Sequence, residues 1–153
     1  MEGSTRASVE STLNALVGIL DAEVQTGGTP SLRDARERAE EYLLARRLVR
    51  TLTDGRPVVP SVGVFMSPGR AVYTAIRALD YFRAAHEHDG RVPDPRLGEA
   101  IELLRSKRRD DGTWAVDHRL PGRVWFHADV EPGRPSPWLT FTALRILRWW
   151  DGA

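Results

Sequence analysis

The chain has 153 residues, enough for one domain with a buried core, and its 41% hydrophobic and 28% charged residues are a globular composition rather than a disordered one. A net charge of +1 leaves no basic excess to neutralise phosphates, so nucleic acid is not expected as a partner. With no cysteine, a disulfide framework, a thiolate zinc site and a cysteine nucleophile are excluded. No apolar run approaches the roughly 20 residues needed to span a bilayer. The opening Met1 to Arg6 lacks the basic and apolar regions of a signal peptide, so the expected location is cytoplasmic. Lys107 is the only lysine, a bias that looks like the coding habit of a GC-rich bacterial genome.

Residues 1–10 read as a flexible N-terminus and 11–153 as one helical domain. The first helix is predicted over Thr12 to Val24, with Gly27 and Gly28 stopping it. The second begins at Ser31, with Asp34 completing a weak capping box, and reads to about Leu52. Leu32, Ala35, Ala39, Tyr42 and Leu43 form its apolar face. Arg33, Arg36, Glu37, Arg38, Glu40 and Glu41 fill the opposite one, as on an amphipathic surface helix. A loop rich in proline and glycine follows from Thr53 to Gly69. Its Val58, Val59, Val62, Val64 and Phe65 allow a short strand or a packed extended segment.

The third helix is predicted from Arg70 to His86, apolar nearly all round and therefore buried. The fourth takes Asp94 as N-cap and Pro95 at its first position, and ends near Arg109. A second loop, Gly112 to Pro135, carries Trp114, Trp125 and Phe126. The fifth helix starts at Ser136-Pro137 and is again apolar all round, through Trp149 and Trp150.

Buried and amphipathic helices thus alternate, and they also align. Asn14–Ile19 matches Thr74–Leu79 and Thr142–Leu147; Ala39–Arg47 matches Ala100–Arg108. A spacing of about 60 residues shared by two helix types points to stacked helical hairpins, the buried helices forming an inner layer. The fold class expected is all-α, helical hairpins forming part of an α/α-toroid.

These repeats, with Ala100–Arg108 followed by Asp111-Gly112-Thr113-Trp114, resemble the α/α-toroid superfamily of squalene–hopene cyclases and protein prenyltransferase β-subunits. The resemblance is best over Leu97–Trp114 and, more coarsely, covers about Ser11 to the C-terminus. It implies that Gly112 supplies a positive φ and that Trp114 packs back between hairpins. The chain departs from the family at three places. The repeat's usual glutamine is replaced by Arg108. No Asp-x-Asp-Asp acid run is present. The cysteine of the prenyltransferase zinc site is absent, as is that of lanthipeptide-cyclase-like toroids. Five helices make only an arc, whose open flanks call for a partner, self-association or a longer chain.

The resemblance places the buried helices at a lumen, which makes Asp80 the candidate catalytic acid; the alternative is a carboxylate paired with Arg77 or Arg83. Tyr73, Arg77, Trp125, Phe126, Trp138, Arg145 and Trp149 are the candidate ligand-binding residues, aromatic faces being suited to apolar and cationic groups. No metal or cofactor is expected. Weak metal candidates are His118, His127 and Asp129, in a loop that also holds Asp117 and Glu131. His86 and His88 read as cations suited to a helix C-terminus, as does the run Arg105, Lys107, Arg108 and Arg109. No P-loop, dinucleotide fingerprint or serine nucleophile elbow is present. The expected function is a non-catalytic toroid-like module that binds an apolar, isoprenoid-like ligand or a protein partner, with homo-oligomerisation possible. The alternatives are a cyclase-like or prenyltransferase-like enzyme acting in an assembled cavity, or a truncated inactive fragment of one.

Overall fold

The computed structural model describes residues 8–69 and 71–152. Its α-helices are α1 (Val9–Thr26), α2 (Pro30–Leu44), α3 (Ala75–Asp89), α4 (Gly98–Ser106) and α5 (Pro137–Asp151), with a 3-10 turn at Pro95–Leu97 leading into α4. Among the described residues there is no strand, only isolated bridges at Arg50–Pro57 and Ala115–Pro135. The all-α expectation therefore holds. No described helix is long and apolar enough to cross a membrane.

Side-chain caps fix where the helices begin. Thr29, Thr74, Asp94 and Ser136 accept from the backbone N–H groups of Leu32, Arg77, Arg96 and Leu139. Proline occupies the first turn of α2, of the 3-10 turn and of α5, where a missing N–H costs nothing. Ser8 caps α1, which starts at Val9, ahead of the expected Thr12; residues 1–7 of the expected flexible N-terminus lie outside the described residues. The predicted start of the third helix, Arg70, also lies outside them, and α3 begins at Ala75 after extended Thr74.

Of the helices expected to be buried, α3 is enclosed on most of its surface, whereas α1 buries a single stripe of Val9, Leu13, Leu16, Leu20 and Glu23. α3 packs against both α1 and α5, while α2 packs on α1 and α4 on α3. Leu13, Leu16, Leu43, Leu79, Phe82, Ile101, Trp114 and Ile146 are among the side chains this core buries.

The second helix is shorter than predicted. It ends at Leu44, and Arg47 and Leu48 then adopt positive φ of 48° and 63°. The Leu48 N–H reaches back to the Leu43 carbonyl at 3.2 Å, a Schellman-like closure. Leu48 and Val49, in and after this turn, are both buried in the core. The Tyr73 hydroxyl locks the turn by donating to the Leu48 carbonyl at 2.8 Å. Residues 53–69 form no strand; the segment is packed, with Val62, Phe65 and Met66 buried, but it runs largely through turns and bends rather than extended.

The polar face assigned to α2 needs a larger correction. Arg36 and Glu40 do not face water; Arg36 is fully buried and Glu40 is 2% exposed. Arg36 donates to Glu23 of α1 at 2.9 Å, to Glu40 at 2.8 Å and to both oxygens of Asp89 of α3 at 2.8 and 3.0 Å. Glu40 also accepts from the Tyr81 hydroxyl at 2.8 Å and from Arg91 at 3.1 Å, and Arg91 pairs with Asp89. Burial works against the charge on Arg36, and the carboxylates of Asp89 and Glu40 more than offset it. This cluster ties three helices together at one end of the fold.

His86 lies beside it, 3% exposed, with its ring against Phe82 and Trp149 at centroid distances of 5.8 and 5.6 Å. Burial, aided by Arg91, pushes its pKa below the ordinary histidine value. The unfolded chain therefore binds a proton that the folded chain refuses as pH falls through about 6.5. Stability is expected to decline from pH 7 toward pH 5, and His86→Phe to flatten that part of the curve. Urea midpoints across this range check it; an unchanged slope in the variant would remove His86 from the account.

α5 is not buried all round as predicted. Trp138, Phe141 and Leu144 stand 61%, 59% and 45% exposed along one stripe, because no described element packs on that flank.

Candidate functional site

Two neighbouring clefts open beside the N-terminal ends of α3 and α5, and they share Met66 and Ser67. The larger, about 380 Å³, is walled by Pro68, Trp125 and Phe126, with His118, His127 and Asp129 also lining it. The smaller, about 180 Å³, is lined by Arg77 and Asp80 of α3 and by Trp138, Leu139 and Thr142 of α5.

The shared wall is held from below. Phe65 is fully buried. Its N–H donates to Asp117 Oδ2 at 2.7 Å and its carbonyl accepts from the Asp117 N–H at 2.8 Å. Lys107 reaches the same carboxylate. Asp117 is thus a strut between the two loops. The second loop is pinned at both ends. Val116 N–H donates to Arg134 at 3.1 Å, and Gly133 N–H to Val116 at 2.7 Å. Arg119 bridges Glu131 at 2.6 Å and the Asp129 carbonyl at 2.7 Å. Asp129 accepts from the hydroxyl of Ser136, the cap of α5, and from the Val130 N–H. A carboxylate behind a helix N-terminus also suits the helix dipole.

Trp125 and Phe126 stand out from this frame at 103% and 78% exposure, and Trp138 borders the second cleft. The polar end of the smaller cleft is cationic on balance. Asp80 is paired with Arg83 at 2.9 Å and with Arg145, whose Nε lies 2.9 Å away. Arg77 donates to Asn14 Oδ1 at 2.6 Å, and among the described residues no carboxylate lies within 4.0 Å of it. Burial lowers the Arg77 pKa from its ordinary value, with Glu10 opposing.

The structure brings Arg77, Asp80, Trp125, Phe126, Trp138 and Arg145 together around the joined clefts, Arg145 through its pair with Asp80. It places two other candidates elsewhere. Tyr73 is 1% exposed and holds the α2 turn, its pKa raised by burial. Trp149 lies three turns along α5 from Trp138, roughly 16 Å away at 1.5 Å per residue, and packs on His86 and Trp150. His118, His127 and Asp129 line one cleft. Among the described residues, however, the group of three metal-ligating side chains whose donor atoms gather within 4.8 Å is Glu23, His88 and Asp89.

Sequence reasoning missed Met66 and Ser67, which form the wall common to both clefts, and Pro68, which lines the larger one. Their only signal was an apolar pair, Phe65-Met66, inside a loop. The two carboxylates at the clefts are both engaged: Asp80 by two guanidinium groups, Asp129 by a hydroxyl and a backbone N–H. What remains open is aromatic surface with a cationic edge. Comparison with family models, curated proteins and solved structures found no match to the chain.

Proposed function

We propose that this chain is a non-catalytic binding module of the α/α-toroid type, which takes an apolar, isoprenoid-like ligand in the joined clefts. The observation that carries this reading is the convergence of Trp125, Phe126 and Trp138 on clefts that share Met66 and Ser67. Each such ring offers roughly 150–250 Å² of apolar area to a ligand. The packing of α1, α3 and α5 in a row, with α2 and α4 behind, supports the toroid-like part of the reading. The ion pairs on Asp80 support the non-catalytic part, since Arg83 and Arg145 together occupy both of its carboxylate oxygens.

Farnesol, an isoprenoid alcohol added from ethanol, is a suitable probe. Titration followed by tryptophan fluorescence is expected to saturate. Trp125→Ala and Trp138→Ala should each weaken binding by about tenfold, which is 1.4 kcal/mol. Val92→Ala, at an exposed site remote from the clefts, should leave it unchanged. Absence of saturation, or full affinity in the double tryptophan variant, would contradict the reading. Turnover of squalene or farnesyl diphosphate by the wild-type chain, lost in Asp80→Asn, would favour the enzyme instead.

A protein partner is the second reading. The stripe Trp138, Phe141 and Leu144 on α5 favours it, because these residues lie on the flank where a further helix would extend the row.

A further inference from the structure

The end of the fold opposite the clefts along α5 carries a buried atom without a partner. Glu23 lies in the last turns of α1 and is 2% exposed. Its Oε2 accepts from Arg36, while its Oε1 is buried and has no hydrogen-bond partner. A buried carboxylate oxygen left unsatisfied costs several kcal/mol or acquires a partner. Two side chains from the end of α3 lie beside it. A carboxylate oxygen of Glu23, a carboxylate oxygen of Asp89 and a ring nitrogen of His88 all lie within 4.8 Å of one another.

The surrounding charges leave room for a cation. Within the ionic cluster, Glu23, Glu40 and Asp89 bring three negative charges, and Arg36 and Arg91 bring two positive ones. Arg36 also does what a supporting residue does behind a metal. It hydrogen-bonds the oxygens of Glu23 and Asp89 and so fixes the orientation of both carboxylates. His88 is exposed, which gives an ion a way in from solvent. One imidazole and two carboxylates form a nitrogen–oxygen donor set suited to zinc and its neighbours, and less to magnesium or calcium, which prefer oxygen alone.

We propose that Glu23, His88 and Asp89 form a site for one divalent ion of the zinc class, which clamps the end of α1 to the end of α3. The ion takes the orphaned Glu23 oxygen, and solvent completes its coordination. Because only the folded chain presents the three donors together, the ion stabilises the fold.

The test is titration of the metal-free 153-residue chain with Zn2+ and Co2+. One equivalent is expected to bind, with a rise in melting temperature and a visible Co2+ absorption. His88→Ala removes an exposed ligand and should keep the metal-free melting temperature. It should weaken Zn2+ binding about 100-fold or more and abolish the thermal shift. The double variant His118→Ala/His127→Ala should bind as the wild type does. Failure to take up either ion would overturn the proposal. So would uptake that survives His88→Ala, or uptake lost in the loop variant.

Discussion

Replacing Arg36 with methionine is expected to lower the free energy of unfolding by about 3–5 kcal/mol, read from urea denaturation. The size comes from what is left behind. Glu23 and Glu40, both almost fully buried, lose the guanidinium that neutralises them, and Asp89 loses a two-oxygen contact. A domain of this size has about 5–15 kcal/mol in all, so the variant should lose a fifth of its stability or more. Arg56→Ala is the matched control. Arg56 also pairs with an aspartate, Asp54, but its side chain is 80% exposed, and the change should fall within about 0.5 kcal/mol.

The cluster has an acid limit as well. Burial alone would raise the Asp89 pKa, but Arg36 and Arg91 hold it below the ordinary aspartate value. That contribution is complete above the unfolded value of about 3.9 and is lost as pH falls through the lower folded one. A wild-type loss of less than 1 kcal/mol on Arg36→Met would mean that the cluster is not the tie between α1, α2 and α3.

Trp114→Ala is expected to cost a similar amount, about 3–5 kcal/mol, through a different mechanism. Trp114 is fully buried, and its indole N–H donates to the Leu104 carbonyl at 2.8 Å, in the last turn of α4. Its backbone N–H donates to Thr140 Oγ1 at 3.0 Å, and its carbonyl accepts from the Ser136 N–H at 2.8 Å. One residue thus fills the space under α4 and fastens the first turn of α5. Gly112, at φ 82°, makes the turn that brings it there. Truncation leaves a cavity the size of an indole and removes the stronger of the two hydrogen bonds to the Leu104 carbonyl, which also accepts from the Lys107 N–H at 3.4 Å. Trp114→Phe separates the two terms, since it restores most of the volume and only the hydrogen bond is lost. It should cost about 1–3 kcal/mol. Denaturation of both variants checks this, and equal losses would assign the whole effect to the hydrogen bond.

Two helix starts were legible because capping is local, whereas α1 is capped by Ser8 rather than starting at Thr12, and α2 by Thr29 rather than starting at Ser31. Asp94-Pro95 and Ser136-Pro137 carry their geometry within a few positions, and both lead into the helices expected of them. The end of α2 was not local. Nothing between Leu44 and Leu52 is a glycine or proline, and the break at Arg47 and Leu48 exists because the core takes Leu48 and Tyr73 holds its carbonyl. Periodicity also misplaced Arg36 and Glu40. It assigns charged side chains to water, and their partners Glu23, Tyr81 and Asp89 come from helices distant in sequence. The candidate site was half legible. Composition picked out the aromatics, but helical spacing cannot tell Trp138, exposed on α5, from Tyr73, buried at 1% exposure. The wall at Met66 to Pro68 depends on how Asp117 pairs with Phe65 across 52 residues, which no local pattern records.

The most direct measurement of the ligand-binding claim is a proton–nitrogen correlation spectrum of the indole groups during farnesol titration. The chain has five tryptophans, so each N–H reports separately. The indole signals of Trp125 and Trp138 are expected to shift together and saturate, while that of Trp114, fully buried and bonded to Leu104, stays in place. Shifts confined to Trp149 and Trp150, or no saturable shift at any indole, would contradict a ligand site at the joined clefts.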